Sequence, residues 1–199
     1  KSWLKLFDKK IFYFPFFSHP DPTVKRKSGF LPPVYGSSNE FGSWVNIPYF
    51  KVINEEKDIT FNPRIYADDK FILQSEYRQA FEKSNLKSDF SYNNDGNNTN
   101  THLFTKIDGD LNSNTKFNFK FQDVSNDDYL KIHNLSSSSS LIENESLLTT
   151  QLNITKNIDE NTNLDTNFTV YEDLSKKDSD RFQYILPNFT YTKNITIPN

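Results

Sequence analysis

Residues 115–124 read Thr-Lys-Phe-Asn-Phe-Lys-Phe-Gln-Asp-Val, so a phenylalanine recurs at every second position and polar residues fill the positions between. Successive side chains of a β-strand point to opposite faces of its sheet, whereas a helix would scatter these rings around its surface. The stretch is therefore predicted to be a strand with one aromatic face and one polar face, the polar face carrying Lys116 and Lys120.

The same alternation recurs before and after this stretch, and helical spacing fits none of the segments. It predicts about ten antiparallel strands joined alternately by tight Asn- and Asp-rich turns and by longer polar loops. The longest loop is 125–146, with five consecutive serines. The predicted strands are 28–35, 44–53, 58–67, 71–81, 86–92, 101–111, 115–124, 147–156, 162–171 and 182–193.

Two all-β folds accommodate this pattern. Short turns at one end and long loops at the other are typical of an up-and-down outer-membrane β-barrel, whose polar face lines a wet lumen and whose aromatic face meets lipid. A soluble antiparallel sheet or solenoid alternates in the same way but turns its apolar face toward a protein core. Periodicity alone leaves both open.

The composition restricts the function. Only 35% of the 199 residues are hydrophobic, yet 16% are aromatic, and the longest apolar stretch, 11–17, is too short for a membrane helix. A net charge of -3 with interspersed signs argues against a nucleic-acid partner. The absence of cysteine removes disulfides, thiolate catalysis and Cys-ligated zinc from this sequence.

Catalytic motifs are missing as well. The three histidines lie far apart without an HExxH motif, and there is neither a GxSxG motif nor a glycine-rich phosphate loop. We therefore predict no enzyme activity, no catalytic residue, no cofactor and no metal site. A barrel enzyme of the outer-membrane phospholipase type is disfavoured because the sequence offers no clustered serine and histidine.

The N-terminal residues 1–24 differ from the rest because they form a predicted hairpin that is apolar on both faces, followed by the strand-breaking His-Pro-Asp-Pro of residues 19–22. We predict a domain boundary near 21–27, with one unit at 1–24 and a second at 25–199. Because the chain opens with Lys1, we expect it to be a piece of a longer protein.

Several segments carry a resemblance to a known family. They are Phe-Tyr-Phe-Pro-Phe-Phe at 12–17, His-Pro at 19–20, Lys-Arg-Lys-Ser-Gly-Phe-Leu-Pro at 25–32, Gly42, Ile-Pro-Tyr-Phe at 47–50, Asp-Ile-Thr-Phe-Asn-Pro-Arg at 58–64, Glu-Tyr-Arg at 76–78 and Val-Ser-Asn-Asp-Asp-Tyr at 124–129. This series resembles the junction segment of the LptD family, also called OstA or organic solvent tolerance proteins. The match is dense over 12–81, and beyond residue 135 only the strand pattern supports it.

The resemblance implies a fold and a function. Residues 1–24 would be the last hairpin of a periplasmic β-jellyroll, and 25–199 the N-terminal part of a barrel in the outer membrane of a Gram-negative bacterium. Family members receive lipopolysaccharide from a periplasmic bridge protein, LptA. The jellyroll takes the acyl chains, the lumen takes the sugars, and the molecule leaves sideways into outer-membrane lipid. The lipoprotein LptE plugs the lumen, and no covalent chemistry occurs.

A lateral exit requires a weak seam, and the family's gate prolines fall on Pro48 and Pro63. Each lacks the N–H that a ladder position donates, at a net cost of about 0.5 to 1.5 kcal/mol per lost hydrogen bond. The alternative is a bulge or strand end without a gating role.

Three further groups are candidate sites. The rings Phe12, Tyr13, Phe14 and Phe16 would line the acyl-chain groove or pack the hairpin's core. Lys25, Arg26 and Lys27 would contact lipid A phosphates or form a solvated basic turn. Arg64, Glu76, Arg78, Lys116 and Lys120 would line the lumen or contact the plug, since a cation facing lipid costs about 2 to 4 kcal/mol near the midplane.

The competing function is a soluble or cell-surface β-sheet adhesion or binding module.

Overall fold

The computed structural model describes residues 2–6, 9–14, 26–38, 40–67, 70–94 and 98–195. Within these ranges the chain is mostly β-structure. Strand β1 (Ser2–Leu6) pairs antiparallel with β2 (Lys9–Phe14) in a sheet of its own. Every other strand in the described part of the chain belongs to a single 12-stranded sheet.

The strands of the large sheet are β3 (Gly29–Phe30), β4 (Val34–Ser38), β5 (Gly42–Asn46), β6 (Tyr49–Val52), β7 (Lys57–Tyr66), β8 (Phe71–Ala80), β9 (Ser84–Asn94), β10 (Thr99–Asn112), β11 (Thr115–Val124), β12 (Leu147–Asp159), β13 (Thr162–Asp173) and β14 (Phe182–Lys193). From β7 to β14 the strands follow each other in chain order, and β7 also pairs with β5 and β6, which pair in turn with β4 and β3. Every pair is antiparallel. The sheet runs from β14 at one edge to β4 at the other, and these two strands do not pair with each other. The expected all-β, up-and-down architecture is confirmed.

Among the residues that the structure describes, helical structure is confined to three short segments. They are α1 (Tyr129–Ile132) and the 3₁₀ turns Leu135–Ser138 and Asp178–Arg181. No helix in the described part of the chain has the length and apolar character needed to cross a membrane.

The predicted strands 28–35 and 44–53 are each divided in two by proline. Residues 47–48 separate β5 from β6, although the register against β7 continues, with Asn46 opposite Arg64 and Tyr49 opposite Phe61. Residues 31–33 separate β3 from β4 and add one residue relative to the partner strand, as a β-bulge does. Proline explains both breaks because it cannot donate a ladder hydrogen bond.

Residues 36–43, expected to be a loop, instead belong largely to the hairpin of β4 and β5. Two glycines make this hairpin possible. Gly42 adopts a φ of 69°, which favours glycine. Gly36 leaves room for Trp44, since a Cβ there would lie 2.6 Å from the indole ring.

The aromatic face of the sheet lies outside the buried core. The register places Phe119 between Ile107 and Leu152, and Leu152 in turn opposite Phe168. These four side chains all keep part of their surface exposed. On the same face, Tyr92 and Leu103 are 45% and 43% exposed.

The buried core lies instead on the opposite, polar face, where the 125–146 loop folds back over the sheet. The loop supplies apolar side chains that meet Tyr66, Ile72 and Phe104 of strands β7, β8 and β10. These loop residues are Tyr129, Leu130, Leu135, Leu141 and Ile142. The sequence predicted a long polar loop, whereas in the structure this loop docks on the sheet through apolar side chains, whose burial stabilises the contact.

Candidate functional site on the polar face of the sheet

Arg64 is the central anchor of the docked loop. Its β7 position directs its side chain toward the polar face, where only 4% of the residue is exposed. The guanidinium donates to the backbone carbonyl of His133 and, at 3.1 Å, to the Ser138 hydroxyl. It also lies over the Trp44 ring, 4.6 Å from the ring centroid. Arg64 therefore holds this loop through charge-assisted hydrogen bonds.

A second buried network fixes helix α1 of the loop. The Ser91 hydroxyl lies 2.9 Å from the Tyr129 hydroxyl and 2.5 Å from Nδ1 of His102. Gln74 donates to the Asp89 carboxylate at 3.1 Å. Burial raises the pKa of Tyr129 to about 12, so this hydroxyl keeps its proton and can donate at neutral pH.

The network brings a serine and a histidine together, contrary to the expectation from sequence. Nε2 of His102 lies 3.6 Å from Oδ2 of Asp89, beyond hydrogen-bond distance, and has no hydrogen-bond partner among the described residues. Ser91 faces Nδ1 instead, so the three groups are neighbours but do not form the hydrogen-bonded chain of a hydrolase triad. The sequence concealed this cluster because the residues come from two strands and meet only through the Ser91–His102 register. All three side chains are buried, and Tyr129 covers the serine, which leaves no open nucleophile.

The predicted lumen residues share this polar face with Arg64. Glu76 and Arg78 lie on β8, where Glu76 bonds to Lys87 at 2.7 Å and Arg78 to Asp58 at 2.8 Å. Lys120 bonds to Glu143 of the loop at 2.8 Å. Lys116 lies on the same face, at the exposed end of β11 away from the loop. Arg64 and Lys120 thus contact the chain's own loop.

The two prolines predicted to form a gate leave a hydrogen bond missing in two successive ladders. The carbonyl of Pro63 accepts from the Ile47 N–H at 3.3 Å, and the carbonyl of Pro48 accepts from the Leu31 N–H at 2.9 Å. In an antiparallel ladder the N–H and C=O of a residue point to the same neighbour. Pro63 therefore leaves one hydrogen bond missing between β7 and the interrupted strand that β5 and β6 form. Pro48 leaves one missing between that interrupted strand and β3.

The basic junction is only partly described. Arg26 donates to Oδ2 of Asp58 at 2.5 Å and to the Glu55 carbonyl at 2.8 Å. Asp58 is buried and binds Arg78 through its other oxygen. Lys27 is exposed, and Lys25 lies outside the described residues. Arg26 is thus engaged at the start of the large sheet.

For three of the four predicted lipid-binding rings the structure describes only the backbone, and the fourth lies outside the described residues. Phe12, Tyr13 and Phe14 belong to β2, whose backbone pairs with β1. Their side chains and all of Phe16 lie outside the described part of the chain.

Arg181 joins the 125–146 loop to the loop between β13 and β14. It forms a bidentate pair with Asp127 at 2.7 and 3.0 Å and a bond to Glu172 at 2.7 Å. Its hydrogen bonds hold the pKa of Asp127 below the usual range, while the two carboxylates raise the pKa of Arg181. The Arg181–Asp127 pair therefore stays charged around neutral pH.

These features define a class: an all-β protein whose sheet is organised like part of an up-and-down barrel wall, with a loop held on its polar face. No family model matches the chain. Known relatives narrow the class further.

The chain is 32% identical over 139 residues to the LPS-assembly protein LptD of Nitrosococcus oceani, covering 62% of this chain and 18% of the relative. It is 30% identical over 153 residues to LptD of Thiobacillus denitrificans, covering 74% and 21%. With LptD of Cupriavidus pinatubonensis it shares 40% identity over 75 residues, covering 38% and 9%. The chain spans about a fifth of the length of the first two relatives. It is thus related to a segment of the LPS-assembly protein LptD.

Proposed function

We propose that the chain forms part of the wall of an outer-membrane barrel that carries lipopolysaccharide to the outer leaflet of a Gram-negative bacterium. The observation that supports this most directly is the sorting of side chains across β7 to β14. The aromatic face stays outside the core, as a lipid-facing surface requires, while the polar face carries charged residues and a docked loop. The similarity to LptD supplies the substrate class.

In this proposal the two sheets have different roles. The β1–β2 hairpin, within 1–24, belongs to a periplasmic jellyroll that receives lipopolysaccharide from LptA, and its rings hold acyl chains. The barrel from residue 25 passes the sugars along its polar face, beside the plug protein LptE. The aromatic face contacts outer-membrane lipid.

The proposal assigns lipid A phosphates to the basic junction at residues 25–27. Lys27 is exposed and suits such a contact. Arg26 would have to exchange its bond with Asp58 for a phosphate oxygen. Because Asp58 would keep Arg78, this exchange does not leave a buried carboxylate without a cation.

Depletion of the full-length protein tests this function. In cells with a single, repressible copy of its gene, newly made lipopolysaccharide is expected to stop reaching the surface and to accumulate in the inner membrane. Pulse labelling followed by membrane fractionation and surface biotinylation measures this. An outer-membrane porin followed in the same cells controls for a general assembly defect. Normal surface lipopolysaccharide together with lost cell adhesion would instead support the adhesion module.

The gate role of the prolines has a separate test. Replacing Pro48 and Pro63 together by alanine allows one more hydrogen bond in each of two ladders, or about 0.5 to 1.5 kcal/mol each. We expect the double variant to assemble normally and to release lipopolysaccharide several-fold more slowly in the same pulse-label assay. Pro187→Ala in β14 is the matched control. Unchanged release by the double variant would contradict the gate.

A further inference from the structure

Three lysines lie side by side across the polar face of the sheet. Lys87 of β9 pairs with Lys106 of β10, and Lys106 pairs with Lys120 of β11. All three share a face with Asp89, Phe104 and Gln122, because the strands alternate with a period of two. Like charges directly opposite each other destabilise a sheet, so this row of three lysines lowers the stability of the sheet unless anions neutralise it.

Each lysine of this row is compensated by a different carboxylate. Lys87 bonds to Glu76 at 2.7 Å, and Lys106 bonds to Asp108 at 3.2 Å on an exposed part of β10. Lys120 bonds to Glu143, which comes from the docked loop rather than from the sheet. The Glu143 side chain is 72% exposed, whereas that of Lys120 is 16% exposed. The Glu143 carboxylate is exposed to water, so it can be displaced at a small cost when another anion takes its place beside the largely buried Lys120.

A cavity of about 250 Å³ opens at this point between the sheet and the loop. Lys106, Lys120 and Glu143 supply its charges. The amide side chains of Asn118, Gln122 and Gln151 also line it. The volume is below the roughly 300 to 1,000 Å³ of pockets for drug-sized ligands, which limits the occupant to about one sugar unit.

We propose that this cavity is a binding site for a phosphate-bearing sugar residue. The two ammonium groups would bind a phosphate dianion. Asn118 and Gln151 would exchange their bonds to Asp108 and Asn167 for sugar hydroxyls, while Gln122 keeps its bonds to the Leu141 carbonyl and the Thr149 N–H. Glu143 occupies the position of the ligand's anion in the unliganded protein and gives way when the ligand binds. The inference deepens the proposed function, since it places a phosphorylated part of the transported saccharide on named residues of the wall.

Lysine footprinting of the purified full-length protein in detergent tests the site directly. Glucose 1-phosphate is expected to protect Lys106 and Lys120 from acetylation, as read by mass spectrometry, and to leave Lys156 of β12 unprotected. Glucose and inorganic phosphate are the comparison probes at equal concentration. Protection by phosphate alone, equal to that by glucose 1-phosphate, would overturn the sugar assignment, and equal reactivity with and without every probe would overturn the site.

Three variants complete the test, with binding of glucose 1-phosphate measured by calorimetry. Removing both cations in Lys106→Gln/Lys120→Gln is expected to weaken binding by at least about tenfold, since bonds to charged groups are worth that much each. Glu143→Gln is expected to strengthen binding several-fold, because it removes the competing carboxylate. Lys156→Gln should bind like the wild type. Weaker binding by Glu143→Gln would contradict the inference.

The cellular assay separates this inference from the proposed function. If the double lysine variant binds no sugar phosphate yet delivers lipopolysaccharide at the wild-type rate, the cavity is a site without a role in transport. If depletion of the whole protein leaves lipopolysaccharide delivery intact, the proposed function fails whatever the cavity binds.

Discussion

Leu152→Arg is expected to destabilise the membrane-embedded protein by about 2 to 4 kcal/mol, whereas Asn153→Arg next to it is expected to change little. Leu152 lies between Phe119 and Phe168 on the aromatic face, and Asn153 lies between Asn118 and Asn167 on the polar face. Both residues are half-buried, so an effect of arginine that did not depend on the face of the sheet would destabilise both variants equally. Urea unfolding in lipid vesicles, followed by heat-modifiable gel migration, measures the difference.

This pair of variants also separates a lipid-facing aromatic face from one in contact with water, and the need for detergent separates it from a face packed against the core of a soluble protein. If the aromatic face were in contact with water, an arginine at position 152 would be tolerated at least as well as one at 153. Equal stability of the two variants, or extraction of the wild type without detergent, would contradict a lipid-facing surface.

Arg64→Ala is expected to release the 125–146 loop from the sheet. The side chain makes two charge-assisted contacts with the loop, to the His133 carbonyl and the Ser138 hydroxyl. At about 1.5 to 3 kcal/mol each, their loss costs roughly 3 kcal/mol or more of docking free energy. Hydrogen exchange measures this through the amides of Ile132 and Ser139, which lose protection when the loop opens.

The matched control for this prediction is Arg78→Ala. Arg78 lies on the same face but bonds to Asp58 and touches no residue of the loop through a hydrogen bond or ion pair that the structure describes. Its removal should leave exchange within the loop unchanged. Loop protection that survives in Arg64→Ala would show that apolar packing alone holds the loop.

The strands were predictable because alternation is a local property of the chain. From β7 onward, the predicted and observed strands agree to within a few residues, since each has a polar and an apolar side. The first two predicted strands were less accurate because proline interrupts the hydrogen bonding without interrupting the alternation. Their division into β3 to β6 follows from the backbone chemistry of Pro48 and the pair at 32–33.

The candidate site was less predictable because it depends on contacts between distant residues. The sequence placed Arg64 and Lys120 on the polar face but gave no reason to expect a loop above them. The signal was present in Leu130, Leu135, Leu141 and Ile142, which are more apolar than a solvated loop requires. The meeting of Ser91 with His102 depended on register, which turn length and pleating set together.

The link from Arg64 to the loop also orders the events of folding. Hairpins such as β10–β11 close over a few residues, but Arg64 meets a carbonyl 69 positions later in the chain. Bringing such distant positions together costs chain entropy, unless the intervening strands have already paired. We therefore expect the Arg64–His133 contact to form after β7 to β11 are aligned, so that this contact marks the correct pairing of five neighbouring strands.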